Sequence, residues 1–104
     1  MSYREKMLDE AKGIVCGDRE KEYGKLENNF QFIANLWNGY LKNICKLPAL
    51  QLLSKVDVAN MMILLKIARS ESNTKHLDNF VDIAGYAACA YEIEANEIDR
   101  NRAV

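Results

Sequence analysis

The chain of 104 residues carries 14 Lys and Arg against 15 Asp and Glu, a formal charge of −1. It therefore lacks the basic excess of a protein that holds nucleic acid by bulk charge. Apolar residues at 49% and charged residues at 28% exclude a disordered chain, and the length suits one domain with a core of its own.

One proline and five glycines leave room for only a few long elements, and the apolar spacing makes them helices. The first is expected over 2–16, where Tyr3, Met7, Ala11 and Ile14 recur at helical spacing before Gly17 ends it. Its charged opening, Met-Ser-Tyr-Arg-Glu-Lys, does not read as a signal peptide. A polar connector follows, holding Arg19, Glu20, Tyr23 and Gly24. It offers a cation, an aromatic face and a flexible backbone, parts that can stack a base or grip phosphate but also suit an ordinary helix–helix loop.

The second helix is expected over 27–45. Phe30, Ile33, Ala34, Trp37, Leu41 and Ile44 form its inner stripe, with Asn28, Gln31, Asn35, Asn38 and Lys42 opposite. Trp37 reads as a core anchor, and Pro48 marks the break that follows. The third, over 54–69, opens on Ser54 and Asp57, a pairing that resembles a capping box. Its centre, Met61 to Leu65, is apolar on every side, though far shorter than the ~20 residues of a membrane span.

The fourth helix is expected over 77–98, again with few solvent-facing positions, and its tail from Asn96 onward is expected to fray. Gly85 sits inside it at a cost of about 1 kcal/mol relative to Ala, which suggests close approach of a neighbouring backbone or ligand. The result is an all-α chain: a single helical domain over 1–104, built as a four-helix bundle with its third and fourth helices central. Two helices that are apolar all round lack partners enough in so short a chain. Their faces are therefore expected at a subunit interface, in a homodimer or homotetramer.

Cys16, Cys45 and Cys89 form no CxxC pair and no Cys/His cluster. They are expected to be buried free thiols in a reducing cytoplasm. His76, the only histidine, has no nucleophile with a base partner nearby, so a triad-type hydrolase is not supported.

The carboxylates carry the sharpest chemistry. Asp78 and Asp82 lie one turn apart, about 6 Å, on one helix face. Asp82 borders an apolar stretch, where an acid needs a hydrogen bond, an ion pair or a bound cation. Asp57 and Asn60 share a face of the third helix. Antiparallel packing that brought the two sets together would make an oxygen-rich cage suited to Mg²⁺ or Mn²⁺. The structural alternatives are a cap for Asp57, a helix-dipole partner for Asp78 and an ion pair for Asp82. Lys66 and Arg69 are candidates for phosphate binding, or basic residues that complement a helix C-terminus. By helical angle Lys66 points opposite Asp57.

The run Asp57-Val-Ala-Asn-Met-Met-Ile-Leu-Leu-Lys-Ile-Ala-Arg69, then Asp78-Asn-Phe-Val-Asp-Ile-Ala-Gly-Tyr-Ala-Ala88, with Arg19-x-x-x-Tyr-Gly24 upstream, resembles a phage- and prophage-encoded family of small proteins. That family is more distantly similar to the all-α nucleoside triphosphate pyrophosphohydrolases of the MazG and dimeric dUTPase type. The resemblance implies Mg²⁺ held by acidic pairs on successive helices, oligomeric assembly, and cleavage of a nucleoside triphosphate to the monophosphate and pyrophosphate. Carried over by position, Asp57 and Asn60 stand for the first pair, and Asp78 and Asp82 for the second. Asn60 departs from the pattern in replacing an acid. Three functions follow: a Mg²⁺-dependent (deoxy)nucleoside triphosphate pyrophosphohydrolase, a catalytically degenerate phage protein that binds a nucleotide or sequesters a nucleotide-derived signal, or a structural or regulatory helical oligomer. A phage-encoded chain of this kind would act in the host cytoplasm on a nucleotide or nucleotide-like small molecule, with neither nucleic acid nor membrane as partner.

Overall fold

The computed structural model describes residues 2–18, 26–46, 52–72 and 75–102, which hold four α-helices and no strand. They are α1 (Tyr3–Gly13), α2 (Leu26–Cys45), α3 (Lys55–Ser72) and α4 (Asp78–Arg102). A five-residue π-helical turn, Ile14–Asp18, extends α1 past the point where Gly17 was expected to end it.

Local chemistry sets the helix ends. Ser2 caps α1, its Oγ accepting from the Glu5 amide at 3.2 Å. At α3 the capping box is reciprocal: the Asp57 amide donates to Ser54 Oγ at 3.2 Å, and the Ser54 amide donates to Asp57 Oδ2 at 2.8 Å. Just before it, the half-buried Asn38 side chain receives the Leu53 amide at 2.8 Å and donates to the Leu53 carbonyl at 3.0 Å. One side chain on α2 thereby fixes the entry into α3. The expectation that Asn38 faces solvent is corrected, because its amide supplies both hydrogen bonds that the Leu53 backbone needs. After α2, Lys46 takes a left-handed conformation with φ of 54°, and its amide donates back to the Lys42 carbonyl at 3.1 Å.

α3 and α4 form a central antiparallel hairpin. Lys66, late in α3, meets Asp82, early in α4, while Val58 and Ala59 share a buried cluster with Ile93. Phe30 and Ala34 of α2 complete that cluster, with Ile33, Trp37, Met62, Tyr86 and Cys89 packed around it. The Phe30 and Tyr86 rings lie 6.3 Å apart. α1 joins the other side of α4 through the buried Ala11. A Cβ at Gly85 would stand 3.1 Å from Val15 Cγ1, so the close approach expected at this glycine is a side chain of the π-helical turn.

Several sequence expectations change. α4 continues to Arg102 instead of fraying from Asn96, because Asn96 and Arg100 both bind Glu27 of α2, at 3.0 and 3.6 Å. Lys55 bonds the same carboxylate at 3.3 Å. Cys16, inside the π-helical turn, and Cys45, the last residue of α2, are exposed and Cys89 is half-buried, so the expectation of three buried thiols is corrected. Ile44 is exposed too, because the inner stripe of α2 ends at Leu41. No described helix is long and apolar enough to cross a membrane. The Cα radius of gyration, 15.6 Å, exceeds the ~13 Å of a compact domain of this length.

Candidate functional site

The hairpin register decides which candidate residues meet. With Lys66 opposite Asp82, the antiparallel rise of 1.5 Å per residue sets Asp57 level with about Tyr91. Asp57 then stands about 20 Å along the axis from Asp78. A single chain therefore does not bring Asp57 and Asn60 face to face with Asp78 and Asp82. Among the described residues no three His, Cys, Asp or Glu side chains cluster as a metal-binding group. The Asp57 carboxylate caps α3, and Asn60 is exposed.

The other end of the hairpin holds the remaining four described candidates. Lys66 Nζ lies 2.8 Å from Asp82 Oδ2, with side-chain exposures of only 14% and 18%. Arg69 is one turn beyond Lys66 on α3, and Asp78 is one turn before Asp82 on α4. Both are exposed. By position along the two helices Arg69 and Asp78 thus lie within about one turn of the Lys66–Asp82 contact. Helical angles on α3 alone set Lys66 apart from Asp57 but could not reveal Asp82 as its partner, since that depends on the register of the hairpin. Arg19, Tyr23 and Gly24 lie outside the described residues.

A second polar cluster lies at the opposite end of α4. The Asn96 amide holds the Glu27 carboxyl below its ordinary value, with Lys55 and Arg100 adding to the effect against the opposing pull of burial. Arg100 also bonds Glu97 at 2.7 Å. Three cationic or amide donors converge on one carboxylate, which makes this a strut between α2, α3 and α4.

Sequence reasoning missed one feature of the surface. On the outer face of α2, Phe32, Leu36, Tyr40 and Ile44 are 62%, 60%, 66% and 63% exposed. Their spacing of four is legible, but it is masked by the stronger inner stripe interleaved with it.

The family described as a domain of unknown function, DUF6378, matches residues 6–94. The chain is 41% identical over 95 residues to the Gene 55 protein of Mycobacterium phage D29, covering 91% of this chain and 58% of the relative. To the Gene 55 protein of Mycobacterium phage L5 it is 40% identical over 94 residues, covering 90% and 56%. The chain thus spans somewhat more than half the length of these relatives. No solved structure matches it.

Proposed function

The chain belongs to the DUF6378 family, whose matched relatives include mycobacteriophage Gene 55 proteins, and we propose that it binds a (deoxy)nucleoside triphosphate with Mg²⁺ and hydrolyses it to the monophosphate and pyrophosphate. One observation carries the reading: the half-buried contact of Lys66 with Asp82. It supports a shared role for a candidate phosphate cation and a candidate metal-binding acid, with Arg69 and Asp78 a turn away on each helix.

The donor set fits the ion. Mg²⁺ keeps several waters and binds through one or two carboxylates plus substrate phosphates, and Asp78 with Asp82 supplies two hard oxygen donors. Asp57 and Asn60 join that set only from a second copy of the chain. Lys66 gives up Asp82 for phosphate oxygens when substrate arrives, and Arg69 neutralises further phosphate charge. Asp78 and Asp82 would hold the ion. The ion supplies charge neutralisation and a polarised water. A water oxygen bonds to the α-phosphorus as the bond from that phosphorus to the α–β bridging oxygen breaks; pyrophosphate leaves with that oxygen and the water's proton passes to solvent. The likeness to MazG-type enzymes, assembly as a homodimer or homotetramer, and action in the host cytoplasm belong to the same reading.

A second reading is favoured by the neutral Asn60 and by the use of Asp57 as a cap: the scaffold binds a nucleotide without turning it over. The third, a purely structural or regulatory oligomer, has no small-molecule site. A panel of NTPs and dNTPs with Mg²⁺, read for pyrophosphate and for thermal shift, separates the three. Turnover supports the enzyme, and a shift alone supports the binder. Silence in both readouts leaves the oligomer.

A further inference from the structure

Large apolar side chains are exposed on every helix, so the question is which face is built for a partner.

The outer face of α2 differs from the rest in its charge. Phe32, Leu36, Tyr40 and Ile44 run along it at every fourth position, a ridge spanning three turns. Asn28, Asn29, Asn35, Gly39 and Asn43 flank the ridge, and from Asn28 to Leu41 the helix carries no charged residue at all. Glu27 and Lys42 point away from the ridge by helical angle. Interface cores are depleted of charge and rich in aromatic residues, and this face has both properties in a chain that is otherwise 28% charged. At Gly39 an added Cβ would meet nothing within 4 Å, which leaves a notch beside Leu36 and Tyr40 for a partner side chain. The exposed apolar residues of α3, by contrast, adjoin Lys66, Arg69 and Asp57. Full burial of an aromatic side chain removes about 150–250 Å². The four ridge residues, each near two-thirds exposed, therefore offer roughly half of one standard half-interface, and the flanking asparagines and Gly39 the remainder.

We infer that α2 pairs with α2 of a second copy of this chain, ridge against ridge about a twofold axis near Leu36. Such an isologous contact is self-complementary, and two ridges of fourfold spacing interdigitate at a crossing of about −50°. The inference rests on the self-association in the reading above and is distinguishable from it: an oligomer held by another face fails the inference alone, whereas a monomeric wild type removes the assembly from both, and pyrophosphate release is read separately.

The test is sedimentation velocity on the whole chain, wild type beside Leu36→Glu, with Leu64→Glu on α3 as comparator and far-UV circular dichroism to verify helicity. The wild type is expected at two or more copies, and Leu36→Glu at a smaller mass with its self-dissociation constant raised at least about 30-fold. If Leu36→Glu loses helicity, the neutral double change Phe32→Ser/Tyr40→Ser takes its place and is expected to act in the same direction. A monomeric wild type at the highest attainable concentration overturns the inference, pointing to another protein or to no partner on this face. So does an unchanged mass for the ridge variant, including the case in which only Leu64→Glu dissociates the assembly.

Discussion

Lys66→Met leaves Asp82 four-fifths buried and without the ammonium 2.8 Å from its Oδ2. At 2.8 Å and an effective dielectric of about 20, the Coulomb attraction is roughly 6 kcal/mol. Desolvation of the two groups, each less than one-fifth exposed, takes back more than half of it. We therefore expect a pair coupling of about 2 kcal/mol, and a cost of about 3 kcal/mol for Lys66→Met alone, since the acid left behind keeps its desolvation penalty. For a chain of this length, 3 kcal/mol corresponds to a fall in Tm of roughly 12–15 °C. Urea unfolding of wild type, Lys66→Met, Asp82→Asn and the double variant, followed by circular dichroism, gives the coupling directly. The cycle separates this pair from any other contact of Asp82. Coupling below about 0.5 kcal/mol, the range of exposed surface pairs, would refute the reasoning and remove the observation on which the site rests.

Three further outcomes follow from the helix ends and struts. The Glu27 carboxyl is held low in the folded chain, so its contribution is present above its ordinary value of 4.5 and disappears as the pH falls through the folded value. Glu27→Gln should flatten the acid limb of a stability-against-pH curve and lower stability near neutrality, and an unchanged acid limb would contradict the strut. Lys46→Gly relieves a left-handed backbone at the C-terminus of α2 and should stabilise the chain by up to about 1 kcal/mol; a loss of stability in thermal melts would count against that geometry. Asn38→Leu removes both hydrogen bonds to the Leu53 backbone and should cost about 1–3 kcal/mol by urea titration, with an effect under 0.5 kcal/mol marking the clamp as dispensable.

How much was legible in the sequence depended on the range of the interaction. The four helices, the Ser54–Asp57 cap and the buried role of Phe30 and Ala34 follow from local spacing and neighbouring residues, and all could be read directly. The close approach at Gly85 was legible as a cost in helix propensity, although its partner, Val15, was not. What escaped was set by register between helices. No local pattern pairs Lys66 with Asp82, or carries Asp57 to the far end of the hairpin from Asp78. The same applies to Glu27, whose partners Asn96 and Arg100 hold the end of α4 in place where composition alone suggests fraying. On α2 both ridges are in the sequence, but an amphipathic reading accounts for one face and treats the other as solvent.

The central claim concerns Asp78 more directly than Asp82, because Asp78 is exposed and its loss leaves the core untouched. The decisive measurement is pyrophosphate release from the NTP and dNTP panel in Mg²⁺ by wild type and Asp78→Asn, at matched helicity and Tm. The account predicts release of pyrophosphate and monophosphate in equal amounts by the wild type, slowed at least about 100-fold in the variant. Equal rates for the two proteins, or no release and no ligand-induced rise in Tm across the panel, would contradict it.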